Sequence, residues 1–272
     1  MLPRDPTTIT TLYHGMHKPG SEMCLLEAVA YVAGEEWSDY PKCVSLVLAA
    51  FGRAWNDGMR SNKERDQLRQ YIPLLIGTRS SLEVELRRAH LALDWLVRAN
   101  LPAWLRLAKC DELAAKLEGL EVIDPNTTVQ TLRMITDIIQ KYAEKQYLPQ
   151  QAGTMPTGVT WATVTRATVT GATATEATWA AVRGMKAVAE AERAKSAART
   201  SRAAARTSNA AARASNAAFW ASNAAAWAAW TAWAEMVAGE VEQKSESVVL
   251  TLQAEAHQLY HAMIECGTHP NG

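Results

Sequence analysis

The chain has no net charge to speak of: 28 Lys and Arg stand against 28 Asp and Glu in 272 residues. A balance of that kind excludes a whole-protein electrostatic signature of the sort that marks nucleic-acid or acidic-surface binders. It also lacks runs of alternating Val and Ile bounded by turn residues, which argues against a β-sheet core. Its four cysteines (Cys24, Cys43, Cys110, Cys266) sit at irregular spacings. They make no disulfide framework for a chain of this length and fit a reducing compartment. The first residues, MLPRDPTTITTLYHG, carry no apolar stretch of the signal-peptide kind, so a cytoplasmic location is expected. Residues 185–238 contain neither Gly nor Pro, which removes the usual helix breakers from that interval.

What fills that interval is a strict repeat. SRAAART (201–207), SNAAARA (208–214), SNAAFWA (215–221) and SNAAAWA (222–228) follow one another without a gap. Alanine has the best helix propensity, so the repeat predicts a long helix. Steps of four and three residues share a face and define two strips. One runs Ala203, Thr207, Ala210, Ala214, Ala217, Ala221, Ala224, Ala228 and has almost no side chain. The other runs Arg202, Arg206, Asn209, Arg213, Asn216, Trp220, Asn223, Trp227 and Trp230, cationic at its start and aromatic at its end. A seven-residue period imposes left-handed coiling on a packed partner, and alanine lets axes approach to the short end of about 8–10 Å. The partner is expected to be either the helical pattern after Gly239, where Val241, Val248, Leu252, Ala256, Leu259 and Met263 share a side, or a second copy of the chain.

The second strip is the candidate partner-binding surface. Arginines neutralise phosphates and aromatic faces stack bases, so nucleic acid is one reading. The arginines and tryptophans are segregated rather than interleaved, however. Arginine stems covering an apolar surface, with tryptophans packed on the N-terminal bundle or on another copy, explain the same residues, and a separate protein partner is a further reading. Residues 214–234 carry no charge over about a bilayer's span, but Asn216 and Asn223 would be costly in lipid, so membrane insertion is not expected.

The N-terminal half reads as a succession of helices with 48% hydrophobic residues overall, enough for a buried core. Ser21 is a cap for a helix over 22–33 that Gly34 ends. Asp39, with Pro41 behind it, caps a helix ending at Asn56-Asp57-Gly58. Ser61 starts a third, and Ser80 with Glu83 forms a capping box for LEVELRRAHLALDWLVRANL. PAWLRLA and DELAAKLEGL are shorter pieces, and Thr127 caps a helix to about Tyr147. The expected architecture is all-α: a helical domain over 1–148, a Thr/Gly/Pro-rich linker over 149–178 containing the ATVTR-ATVTG-ATATE-ATWAA repeat, and an Ala-rich antiparallel helical hairpin over 179–272.

The string His14-Gly-Met-His17, MCLLEAVAYVAGEEWSDYPKCVSLVLAAFGRAWND (23–57), IPLLIGTR (72–79) and LALDWLVRANLPAWLRLA (91–108) resembles a family of uncharacterised bacterial and bacteriophage proteins over about residues 14–120. That resemblance implies no activity. The Ala-rich tail is loosely similar to helices of predicted immunity proteins.

Three kinds of chemistry can be drawn from the N-terminal residues. His14, His17, Cys24 and Cys43 are all zinc-ligand types, though H-x2-H-x6-C-x18-C is not a recognisable site; no cofactor is otherwise expected. Cys24 in a helix's first turn would have a lowered thiol pKa, with His14 or His17 as base and Asp39 as orienter. Glu27 and Asp94 are lone acids in apolar helices and must find cations or donors, for which Arg53, Arg79, Arg88 and Arg98 are available. Either they form internal ion pairs, or His14, His17, Glu27, Asp39, Arg79 and Asp94 converge on a polar pocket for a small ligand or for acid–base work in a hydrolase or transferase. The leading expectation is a non-catalytic helical interaction protein, and the enzyme is its rival.

Overall fold

The structure is a computed structural model that describes residues 4–20, 22–59, 61–100, 111–124 and 240–267, with 102, 103, 106, 126, 127, 130, 131 and 134 between them. The Ala-rich repeat, both of its strips, the linker and the hairpin pairing lie outside the described residues. Within them every regular element is helical and there is no β-strand, as the missing Val/Ile alternation implied. No helix among them is long and apolar enough to cross a membrane.

Helix α1 spans Leu25–Ala33 and stops where Gly34, at φ 72°, enters the left-handed region and donates its N–H to Ala30 and Tyr31 carbonyls. A glycine carries no Cβ penalty there. Its start is not at Ser21: Cys24 is the N-cap residue, and the Glu27 carboxylate accepts the Cys24 N–H at 2.8 Å. Helix α2 spans Leu46–Gly58 and begins later than the Asp39-Pro41 signal suggested. The Glu35 carboxylate accepts the N–H groups of Lys42 and Cys43 at 2.5 and 2.8 Å, which commits that segment to a turn. Ser45 then caps α2 by accepting the Leu48 N–H.

Ser61 caps the short α3 (Asn62–Arg65), which tightens into a 3₁₀ stretch over Asp66–Tyr71 and passes into α4 (Ile72–Leu75), with Pro73 in its first turn. Helix α5 spans Leu82–Trp95, capped by Ser81 rather than Ser80, and its last residues Leu96–Asn100 widen into a π-helical turn. Helix α6 covers Asp111–Glu118, and α7 covers Glu240–Glu265.

The apolar stripe of α7 does not wait for a hairpin partner. Leu252, Ala256, Leu259, Tyr260, Met263 and Ile264 are buried in one core with Leu25, Leu26, Val29, Leu48, Phe51, Leu86 and Leu93. The face assigned from sequence to a hairpin seam is packed against α2 and α5. Each large apolar side chain buried this way contributes about 1.5–3 kcal/mol. Tyr260 fixes the depth of the packing: wholly buried, it donates its hydroxyl to the Leu48 carbonyl at 2.9 Å and stacks on Phe51 at 5.4 Å. Gly52 makes room for it, since a Cβ there would lie 2.6 Å from the Tyr260 oxygen.

Candidate functional site

The polar residues singled out by sequence fall into two groups, and only one of them converges. Its centre is Glu27, wholly buried on the first turn of α1. One carboxylate oxygen accepts the His17 N–H at 2.6 Å; the other accepts the Cys24 N–H at 2.8 Å and meets His17 Nδ1 at 2.9 Å. The ring of His17 therefore hands its Nδ1–H to Glu27, which orients the imidazole and leaves Nε2 as its second polar atom. The His17 side chain is 15% exposed while Glu27 is sealed.

The loop that carries His17 is pinned to the end of α2. Gly15 donates its N–H to the Asp57 carboxylate at 2.9 Å, and the Asn56 amide donates to the Tyr13 carbonyl at 2.9 Å. Asn56 also accepts the Leu25 N–H, so one buried side chain near the end of α2 joins the loop to the start of α1. From the other side, Trp37 donates its indole N–H to the His17 carbonyl at 2.9 Å, and Tyr13 meets the His17 ring edge-on at 6.0 Å.

Asp39 joins this group electrostatically. Partial burial pushes its carboxyl above the usual range; the nearby Arg53 guanidinium pulls it down, and Glu27 and Asp57 push it up further. Arg53 donates to the Asp39 carbonyl at 2.8 Å and lies 3.9 Å from the centre of the Tyr40 ring, a cation–π geometry. His17, Glu27, Asp39, Asp57 and Arg53 thus share one end of α1 and α2.

The remaining sequence candidates go elsewhere. His14 is exposed. Arg79 is exposed, and its backbone N–H serves the Cys43 carbonyl at 3.0 Å. Asp94 accepts from Arg98 one turn later at 3.2 Å and from the Ile123 N–H at 2.9 Å, so it braces α5 against the segment after α6. Of the six residues in the alternative polar pocket, His17 and Glu27 are in contact, Asp39 feels Glu27 electrostatically, and His14, Arg79 and Asp94 lie elsewhere.

The two alternative readings of the cysteines find no support in the geometry of the described residues. Cys24 is buried at 3% exposure, and burial pushes its thiol up to about 12. Desolvation disfavours the thiolate by more than the backbone N–H groups of the helix start favour it, the opposite of the lowered pKa that a first-turn position suggested. Burial and the Glu35 carboxylate push the Cys43 thiol up too. His14, His17, Cys24 and Cys43 do not assemble a zinc site. Among the described residues no group of three or more His, Cys, Asp and Glu side chains is arranged to hold a metal ion.

The second polar group is structural and was only half visible in the sequence. Glu85 on α5, 1% exposed, accepts from the Ser45 hydroxyl at 2.7 Å and the Val47 N–H at 3.1 Å, capping α2 from a neighbouring helix. Arg88, 1% exposed, pairs with Glu85 at 3.3 Å. It also donates to the Thr78 carbonyl at 3.0 Å and to the Met263 carbonyl at 2.8 Å, at the last turn of α7. Nothing in the spacing of Glu85, Arg88 and Met263 announces that three-way joint. Asn56, Asp57, Trp37 and Arg53 were likewise not singled out as site residues, although a polar pair ending an apolar helix is a signal that could have been read.

No protein-family model matches the chain, and neither a curated protein nor a solved structure is similar to it.

Proposed function

We propose that this is a non-catalytic, all-α interaction protein that binds a protein partner or a second copy of itself through the heptad-spaced side chains from Arg202 to Trp230. The resemblance over residues 14–120 makes a bacterial or bacteriophage chain the natural context. The observation that carries the reading is how the lone acids are spent. Glu27 satisfies two backbone donors and an imidazole, and Asp94 satisfies Arg98 and the Ile123 N–H. Groups so used fix helix register, which is the service an adaptor needs from its folded body. The apolar stripe of α7 is packed in the bundle's own core, so the partner is assigned to the heptad-spaced residues and not to that stripe.

Light scattering of the purified chain tests this. Self-association that is abolished by Ala217→Glu with Ala224→Glu, while the unfolding transition of the bundle is unchanged, supports it. A monomer at every concentration, insensitive to those substitutions and silent toward partners in cross-linking, removes it. Binding to nucleic acid that weakens with salt and with loss of Arg206 and Arg213 would replace the protein partner with a polyanion.

A second reading has its own observation. A sealed carboxylate orienting a partly exposed imidazole, with a carboxyl of raised pKa beside it, is an arrangement suited to moving a proton. It favours a small-ligand or hydrolase/transferase role for His17, Glu27 and Asp39. Turnover of ester, phosphomonoester or peptide substrates that disappears in His17→Asn would support this reading; activity equal in wild type and variant would dismiss it.

A further inference from the structure

Away from the His17 group, α7 carries His257 and His261, one helical turn apart on the flank of its buried stripe. His257 is half-buried where α7 meets α2 and the 3₁₀ stretch Asp66–Tyr71, while His261 is exposed. The His257 ring stacks on Tyr71 at 5.7 Å and meets Trp55 edge-to-face at 4.6 Å; His261 tilts against the same Tyr71 ring at 5.1 Å. The same helix supplies Leu252, Ala256, Leu259, Tyr260 and Met263 to the core, so whatever loosens this contact loosens the closure of the bundle.

Two hydrogen bonds define the charge state that fits. The Gln67 amide oxygen stands 3.3 Å from His257 Nε2 and can only accept, so Nε2 carries a proton. Nδ1, 2.7 Å from the Tyr71 hydroxyl, then accepts the O–H. Burial pushes the Tyr71 phenol up to about 12, which keeps that donor protonated through the neutral range. A neutral ring therefore satisfies both partners. A second proton, on Nδ1, would set donor against donor, and the Tyr71 hydroxyl would have to turn to the His257 carbonyl, 3.4 Å away.

The charges around the joint are spent elsewhere. On α7, Glu255 accepts the Trp95 indole N–H at 3.2 Å. On the 66–71 stretch, Asp66 accepts the Leu12 N–H at 2.8 Å and Arg69 donates to the Ile9 carbonyl at 3.1 Å. On α2, Asp57 accepts the Gly15 N–H and Arg53 donates to the Asp39 carbonyl. Burial first, and His261 after it, push the His257 pKa down.

We propose that His257 is an acid-sensitive latch between α7 and the 66–71 stretch: neutral, it joins Tyr71 to Gln67 and holds α7 down; protonated, it gives up the Tyr71 bond and α7 loosens from the bundle. Because the folded chain favours the neutral ring, the stabilisation is complete above the ordinary histidine value of about 6.5 and is lost as pH falls through the folded value. The faces of Tyr71 and Trp55 would favour a cation, an effect of opposite sign, so the direction of the pH dependence decides between them.

An NMR titration of the full chain, with thermal unfolding between about pH 5 and pH 8, tests the latch. The His257 midpoint should lie below about 6.5, and the thermal midpoint should fall toward acid. His257→Gln, which keeps an amide donor and acceptor at that place, should flatten part of that fall. His261→Asn removes the neighbouring charge and should bring the His257 midpoint back toward the ordinary value. In hydrogen exchange, amides over 252–264 should lose protection in acid ahead of those of α1. Equal loss over both helices would assign the acid effect to the whole bundle and overturn the latch. So would a His257 midpoint at or above about 6.5, or a thermal pH profile identical in the wild-type chain and His257→Gln.

Discussion

Glu27 and Glu85 are the same residue type doing the same local job with different company. Each is buried, at 0% and 1% exposure, and each accepts backbone N–H groups at a helix start. Glu85 is neutralised by Arg88, a permanent cation sealed beside it at 1% exposure. Glu27 is answered by His17, a cation only when protonated, on a side chain that reaches solvent. The first pair is sealed on both sides; the second meets solvent through its imidazole. A buried carboxylate therefore marks a functional candidate through the identity and exposure of its partner, not through its own burial.

The comparison can be broken by measurement, and the largest effect belongs to Arg88. Arg88→Ala leaves Glu85 charged and buried, and also strips the Thr78 and Met263 carbonyls of a donor. Urea unfolding should record a loss of about 3–5 kcal/mol. Glu27→Gln comes next. An amide can satisfy one of the donors but not all three contacts, so about 1–3 kcal/mol should be lost, by the same measurement. If Glu27→Gln costs more than Arg88→Ala, the ranking of sealed over solvent-reaching pairs is wrong.

Gly52→Ala should cost about 1–3 kcal/mol, because the new methyl would meet the Tyr260 hydroxyl at 2.6 Å and displace it from the Leu48 carbonyl. Tyr260→Phe in the same background should recover part of it, since the colliding oxygen is then gone. The smallest effect is that of Asp39→Asn, and it has a sign. Partial burial raises the Asp39 carboxyl in the folded state, so the folded chain holds that proton more tightly than the unfolded one. The stabilisation is present below the ordinary aspartate value of about 3.9 and is lost as pH rises through the folded value. Asp39→Asn should therefore raise the thermal midpoint slightly at pH 7 and lose that advantage in acid.

Much of the fold was legible because helix stops are local. Gly34 and Asn56-Asp57-Gly58 end helices where their chemistry said they would. The starts of α1 and α2 slipped because the deciding acceptors come from beyond the nearest Ser or Asp: Glu27 reaches back to Cys24, and Glu35 and Glu85 reach across to 42–47. The stripe on α7 was read correctly from Leu252 to Met263, yet its partner was not, since a period identifies a face and says nothing of what covers it. Of the candidate site, the need of Glu27 for a donor was legible. That the donor is His17 rather than one of four available arginines depends on the loop held by Asn56 and Asp57, whose contacts span 42–43 positions.

The hydroxyl of Tyr260 closes on the Leu48 carbonyl across 212 positions of chain. A ribosome releasing this protein in order would deliver Phe51, Trp55 and Leu93 long before the side chains that cover them. The nascent bundle must therefore wait, greasy side out, through the whole alanine-rich interval before the helix that shuts it is made.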